Sequence, residues 1–344
     1  MKTDQYSLLK EKLASKAFSS IFVLVDENTD KFCLDIFIRK TNIDKFNKIT
    51  INSGEENKNI DTCLMIWDKL NFFNADRKSL LINLGGGVLT DIGGFAASTY
   101  LRGINFVNIP TTLLGMVDAA HGGKTGIDFK LLKNQIGVFR EPKEVILDSV
   151  YLTTLKKDEF INGYAEIFKH SLLTNKKDLN FNSLIKLDFH KDVNFIIEKY
   201  SEIKKEIVEL DKFESNQRKI LNLGHTIGHA VESYSYMNPN FKELRHGEAI
   251  IVGIITELYI SYKQLDFPII DLKNIKSNIL KYFDQVKFDN KDISLIYDLL
   301  AYDKKNEGEK VNFVLLKEIG RPIIDQEVSE EVFRESFKFY NQSL

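Results

Sequence analysis

The sequence predicts an α/β protein in which a parallel sheet, covered by helices on both faces, is followed by a mainly α-helical domain. Three observations carry this expectation. Short, continuously apolar runs alternate with helical stretches through the first half of the chain, the pattern of strands buried on both faces. One such run, Ser79–Leu84, enters Gly85-Gly86-Gly87 directly. Beyond about Leu152 the apolar period becomes that of amphipathic helices. The boundary falls within Asp148–Leu155, giving an α/β domain over 1–150 and an α-rich domain over 151–344, with the active site expected between them.

Taken in order, Ser20–Val25 reads as a buried strand ending at Asp26, and Lys48–Ile51 as a second. Asn59–Asn71 carries Leu64, Ile66, Trp67 and Leu70 at helical spacing. Ser79–Leu84 is a third strand, Ile104–Ile109 a fourth stopped by Pro110, and Val145–Leu147 a fifth. Ser183–Leu210 holds long amphipathic runs dense in charge. Val311–Leu316 reads as a strand paired with Arg321–Ile324 across Gly320.

Composition narrows the class. Of 344 residues, 43% are hydrophobic and 28% charged, as in a soluble globular protein that buries a full core. A formal charge of −2 argues against general affinity for nucleic acid or acidic membranes, while local lysines suit a small anionic substrate. Cys33 and Cys63 form no CxxC pair and no disulfide framework, which fits a reducing cytoplasm. Met1–Lys12 has no signal-peptide core, and the apolar run Ala249–Ile255 is too short to span a bilayer.

The chemistry-bearing residues fall into four groups. Gly85–Gly87 at a strand's end let backbone amides approach a phosphate at a helix N-terminus, although the GxGxxG spacing is absent. Asp26 and the loop Gly54–Lys58 suit a ribose or adenine group, against the plainer reading of solvated loop residues. Gly122-Gly-Lys-Thr-Gly126 resembles a phosphate loop, but Gly115 and Gly122 do not give the GxxxxGK[ST] spacing, so an ATPase is rejected. Lys124 and Lys133 still suit a phosphorylated substrate. Glu166 and Lys169 share a helical face, either as a surface ion pair or as a buried carboxylate whose charge a cation such as zinc balances. His225 and His229 lie one turn apart in LNLGHTIGHAVE, with His246 following and Asn222 and Glu248 nearby, which points to a metal site rather than to helix caps.

In this order, GGGVLTDIGGF, TYLRG, IPTTLLGMVDAAHGGKTGID, KNQIGVF, GYAEIFKH, LNLGHTIGHAVE and RHGEA resemble the 3-dehydroquinate synthases, members of the sugar-phosphate cyclase family, from about Asp26 to Gly320. The resemblance implies a Rossmann-like NAD-binding domain before the helical metal- and substrate-binding domain. It implies bound NAD and one divalent metal, usually zinc with cobalt as an alternative. It implies metal ligands Glu166, His225 and His246. Helical spacing alone would make both His225 and His229 ligands; the resemblance moves His229 to a substrate or proton-relay role. Implied NAD contacts are Asp26, Asn28, Glu55, Lys58, Gly86, Gly87, Asp91, Thr111 and Thr112. Implied substrate contacts are Arg102, Asp118, Lys124, Asn134, Lys169, Lys204, Arg218, Asn222 and His229, joined by a lysine of Lys304-Lys305, assigned to Lys305. Of these, Lys169, His229, Asn222, Lys124 and Arg218 are the implied catalytic residues.

The implied reaction converts 3-deoxy-D-arabino-heptulosonate 7-phosphate to 3-dehydroquinate and phosphate in the shikimate pathway of aromatic amino-acid biosynthesis. It proceeds by transient oxidation through NAD, phosphate elimination, re-reduction, ring opening and aldol closure, and the resemblance favours a cytoplasmic homodimer. Three departures stand out: His121 where a small apolar residue is usual, Asp128 where asparagine is common, and extra residues within Tyr234–Lys242. The rivals are a cyclase for another phosphorylated sugar, a metal-dependent alcohol or glycerol dehydrogenase, and a non-catalytic protein with a structural metal. Arg218, Asn222 and His229 argue against the first, the Glu166/Lys169 pair with GGKTG against the second, and the three-donor set against the third.

Overall fold

Strands β1 (Ile21–Asp26), β2 (Asn47–Ile51), β3 (Leu80–Gly85) and β4 (Asn105–Pro110) form a parallel sheet in the order β2-β1-β3-β4. The computed structural model of the chain describes residues 4–130, 132–307 and 311–343, with the side chains of 132 and 301–307 outside the description. These four strand runs read from the sequence are all present; β1, β3 and β4 are apolar enough to lie between two layers, β3 being buried along its whole length, whereas the edge strand β2 buries only Ile49 and Ile51. The register sets Asp26 opposite Ile51 and Gly85 opposite Pro110. The C-terminal strand ends therefore line one edge of the sheet, where ligands bind in such folds.

The helix Ile60–Phe72 begins at Asn59, whose Oδ1 accepts the Thr62 N–H at 3.0 Å. Its buried face is Cys63, Ile66 and Leu70, while Leu64 points outward. The helix Gly87–Thr99 is buried over most of its length, and a Cβ on Gly93 would collide with the Asn83 side chain of β3. Phe22, Leu24, Ile66, Leu70, Leu81, Ile92 and Phe106 form the core between these layers.

Two features differ from the sequence expectation. The GGKTG segment opens an antiparallel hairpin, β5 (Lys124–Phe129) with β6 (Leu132–Phe139). Gly126 faces Gly137 across it, and a Cβ on either would meet the opposing backbone at 2.8 or 2.5 Å. The expected fifth strand, Val145–Leu147, is only a single parallel bridge from Val145 to Asn108. Pro142 precedes it, and Asp148 ends it by accepting the Val150 N–H to start the turn Ser149–Thr154.

The chain divides into two compact units: Met1–Phe160 with Val193–Lys205, and Ile161–Asp192 with Glu206–Leu344. The amphipathic stretch read over 183–210 comprises the end of a short helix, Phe181–Leu184, and the helix Val193–Leu210. The second unit is built around the helix His246–Leu265, which is buried over most of its length and runs against His225–Met237. Gly224, Gly228 and Gly253 allow this approach; a Cβ on Gly253 would stand 1.9 Å from the Gly224 carbonyl oxygen. The hairpin expected around Gly320 is present as β7 (Phe313–Glu318) and β8 (Arg321–Gln326). The additional residues after Tyr234 are anchored by Phe241, which stacks on Phe288 at 5.3 Å. Among the described residues, no helix is long and apolar enough to cross a membrane.

Candidate active site

In the first unit, the glycine turn and the Pro-Thr-Thr segment meet at the ends of β3 and β4. The Thr111 N–H donates to the Gly85 carbonyl at 3.0 Å, and Thr112 Oγ1 accepts the Gly115 N–H at 3.0 Å. A Cβ on Gly86 would stand 3.0 Å from the Thr112 methyl, and one on Gly87 3.1 Å from Ala119. The missing side chains thus leave a cradle of backbone at the start of a thirteen-residue helix, suited to a diphosphate. Asp26 ends β1, but its Oδ1 accepts the Asn28 and Thr29 N–H groups at 2.9 and 2.8 Å, so part of its carboxylate caps the next helix. Asn28 and Glu55 are exposed, and Lys133 approaches Glu55 at 3.6 Å.

Lys58 is the buried hinge of this group. Its ammonium donates to Asp91 at 2.7 Å and to Asn134 Oδ1 at 2.6 Å. Burial opposes its charge, yet Asp91 and Glu55 more than offset that and hold its pKa above the ordinary lysine range. Asp128 supports the same corner: its N–H donates to the Lys58 carbonyl at 2.7 Å and its Oδ1 accepts the Asn134 N–H at 2.8 Å. A carboxylate here anchors Asn134, which has a left-handed φ of 56°. Asp118 lies in a π-helical turn, Gly115–Ala119, a backbone form common at functional sites. The Lys204 ammonium donates to both its carbonyl, at 2.8 Å, and its carboxylate, at 2.7 Å. His121 closes that turn, its Nε2 lying 2.9 Å from the Met116 carbonyl. Lys124 begins β5 and is exposed. Arg102 is exposed on a turn with φ 65°, and among the described residues it makes no hydrogen bond to the other candidates.

In the second unit, the helix Tyr164–Leu173 is buried throughout, which removes the surface-pair reading of Glu166 and Lys169. Both side chains are enclosed, at 0% and 2% exposure, and form an ion pair. Glu166 Oε1 lies 3.4 Å from His225 Nε2 and 3.4 Å from His246 Nε2. Each histidine opens its own helix, at the starts of His225–Met237 and His246–Leu265. His225 Nδ1 lies 3.2 Å from the Leu223 carbonyl, which directs Nε2 towards Glu166. Burial, then Lys169, lowers the His225 pKa, with Glu166 opposing. For His246 burial acts the same way, but Glu166 and Glu232 outweigh it and raise the pKa to about 9.

Metal–ligand bonds of about 2.0–2.2 Å at tetrahedral angles require donor atoms about 3.3–3.6 Å apart. Both separations from Glu166 Oε1 meet this, and all three donor atoms lie within 4.8 Å of one another, so Glu166, His225 and His246 suit a divalent ion. His229, the exposed third imidazole, has its ring 5.1 Å from that of His225 and 5.9 Å from that of His246. It belongs to a second, overlapping donor group with Glu232 and His246.

Arg218 and Asn222 share the short helix Gln217–Asn222. Arg218 is 2% exposed and donates to the Lys212 carbonyl at 2.7 Å; Asn222 donates to Glu214 at 2.9 Å. Asp211 holds the preceding loop by accepting the Ser215, Asn216 and Arg218 N–H groups. Glu248 accepts the Arg245 N–H at 2.9 Å and caps its helix rather than joining the metal donors. Lys304 and Lys305 stand in the helix Asn290–Glu307, and their side chains lie outside the described residues. Glu232 carried no role in the sequence reading. Its carboxylate lies 3.6 Å from His246 Nδ1 and orients that imidazole from behind; Glu232 stands three positions after His229, a spacing that does not by itself single it out.

Residues 48–162 match the family described as 3-dehydroquinate synthase N-terminal, and residues 163–306 match 3-dehydroquinate synthase C-terminal. The chain is 40% identical to the 3-dehydroquinate synthase of Parabacteroides distasonis, covering 99% of this chain and 97% of that one. Among solved structures, it is similar to 2-deoxy-scyllo-inosose synthase complexed with carbaglucose-6-phosphate, NAD+ and Co2+, with TM-score 0.84, 21% identity and coverage of 96% and 95%. It is also similar to 2-epi-5-epi-valiolone synthase from Streptomyces hygroscopicus with NAD+ and Zn2+ bound, with TM-score 0.81, 23% identity and coverage of 97% and 94%. At these identities the two structures speak for the fold.

Proposed function

The chain belongs to the 3-dehydroquinate synthase family, and from that premise we propose how its residues serve that reaction. It is a carbon–oxygen lyase that converts 3-deoxy-D-arabino-heptulosonate 7-phosphate to 3-dehydroquinate and phosphate. The observation that carries the site assignment is the convergence of Glu166, His225 and His246 at ligand spacing beside the buried Lys169.

Residues 1–150 bind NAD, and residues 151–344 bind metal and substrate. Gly86 and Gly87 receive the diphosphate, Thr111 and Thr112 shape the same edge, and Asp26, Asn28, Glu55, Lys58 and Asp91 complete the NAD contacts. Glu166, His225 and His246 hold zinc, with cobalt as an alternative. When bound, NAD takes and returns a hydride, and the metal acts as a Lewis acid towards a substrate hydroxyl.

The chain's own groups bind and orient. Lys169 presents a desolvated ammonium to the substrate hydroxyls, and Asn222 adds a hydrogen bond. Arg218 offers a planar fork to the carboxylate. Lys124, Asn134, His229 and Lys305 are the residues the family resemblance assigns to phosphate. Asp118, Lys204 and Arg102 complete the substrate contacts. The family resemblance supports a cytoplasmic homodimer working in the shikimate pathway; the free, buried Cys33 and Cys63 agree with a reducing compartment.

A cyclase assay tests the reading. With substoichiometric NAD and zinc, the protein is expected to release many equivalents of phosphate and 3-dehydroquinate per NAD, and to lose this on chelation. Net accumulation of NADH, one per substrate consumed, would instead identify a dehydrogenase.

A further inference from the structure

Glu257 is a fully buried carboxylate on the helix that His246 opens, about three turns further along. It reaches across to the neighbouring helix. Its Oε2 accepts the Gly224 N–H at 2.5 Å and its Oε1 accepts the Ile227 N–H at 3.1 Å. Those two amides flank His225. The helix they begin has no side-chain cap of its own, because its N-cap residue is Gly224, with φ 78°. Its orphan donors are therefore satisfied from another element.

Among the described residues Glu257 has no cationic partner. A buried carboxylate without one is costly, and an apolar side chain of similar volume would pack at less expense. What the carboxylate provides is register: one end is rigidly connected to His246, and the other holds the backbone on both sides of His225. The glycine contacts at Gly224 and Gly253 allow the approach that this requires.

We propose that Glu257 is a positioning residue that holds His225 in register with His246, so that their donor atoms keep the spacing a divalent ion needs. This rests on the metal reading above.

Glu257→Gln tests it. Glutamine keeps the volume but accepts only one of the two N–H groups and turns an NH2 towards the other. Metal-free protein is titrated with Co2+ followed by visible absorption, and with Zn2+ by calorimetry. The variant is expected to bind each ion about 10–100-fold more weakly, with a changed cobalt spectrum. Thr256→Val, buried on the same helix and bonded, among the described residues, only to the Val252 and Gly253 carbonyls, is expected to match wild type. Wild-type affinity and spectrum in Glu257→Gln, or an equal loss in Thr256→Val, would overturn the proposal while leaving the metal reading intact. If wild type binds neither ion, both fail. If Glu257→Gln does not fold, amide exchange in wild type decides: the Gly224 and Ile227 amides should exchange more slowly with metal bound, and unchanged exchange would overturn the proposal.

Discussion

His121 shows what one unusual residue does in this fold. It is enclosed at 4% exposure, with its ring against the Met116 carbonyl and its backbone N–H donating to the Asp118 carbonyl. Burial, then Lys205 and Lys204, depress its pKa to about 3. The unfolded chain binds this proton near the ordinary value of about 6.5, so the unfolded state takes up more protons between these values. The stability contributed by neutral His121 is present above pH 6.5 and is lost as pH falls towards 3, by at most about 1.4 kcal/mol per pH unit. His121→Gln is expected to lose less stability than wild type between pH 7 and pH 4.5, measured by urea unfolding. Equal losses would show that His121 does not titrate this way. The sequence marked His121 as a departure but not its purpose, which depends on the π-helical turn. Glu232 and Glu257 were less legible still. Each is an acidic residue within a helical run, a pattern that solvated positions share, and only the neighbouring helix reveals what it holds.

At the scale of elements, β1, β3 and β4 were legible because a strand buried on both faces must be apolar along its length, and β2 because its buried Ile49 and Ile51 alternate with polar residues. The hairpin of β5 and β6 was not, because the paired glycines Gly126 and Gly137 interrupt it and apolar residues such as Ile136, Val138 and Phe139 are exposed beside polar ones, so no buried-exposed alternation marks the strands. The contact between His225–Met237 and His246–Leu265 was visible only as scattered glycines. Its geometry makes a sharp prediction. A Cβ at Gly253 would meet backbone, the Gly224 carbonyl, rather than a side chain that could turn aside. Gly253→Ala is therefore expected to destabilise the protein by about 1–3 kcal/mol and to weaken zinc binding, because separating the helices moves His225 from His246. Unchanged urea midpoints and zinc affinity would show that the helices relax without cost.

At the scale of the whole molecule, the residues proposed for metal and those proposed for NAD fall in different units. Glu166, His225 and His246 all belong to the second, and Lys58, Asp91, Gly86, Gly87, Thr111 and Thr112 to the first. Family motifs led the sequence reading to assign NAD to the first half and metal to the second, but they did not show that 193–205 returns to the first unit from within the helical half. A ligand stabilises the state it binds by mass action, about 2.7 kcal/mol at a hundredfold excess over its Kd. Protection from that energy is strongest where the ligand's own contacts must break for an amide to open. Zinc removal is thus expected to speed hydrogen exchange chiefly in Tyr164–Leu173, His225–Met237 and the first turns of His246–Leu265, while NAD addition slows it chiefly in β1, β3, β4 and Gly87–Thr99. Exchange followed by mass spectrometry distinguishes the two patterns. If chelation loosened the β1–β4 sheet as much as the helices, the ligand sets would be energetically one, and the assignment of metal to the second unit alone would fail.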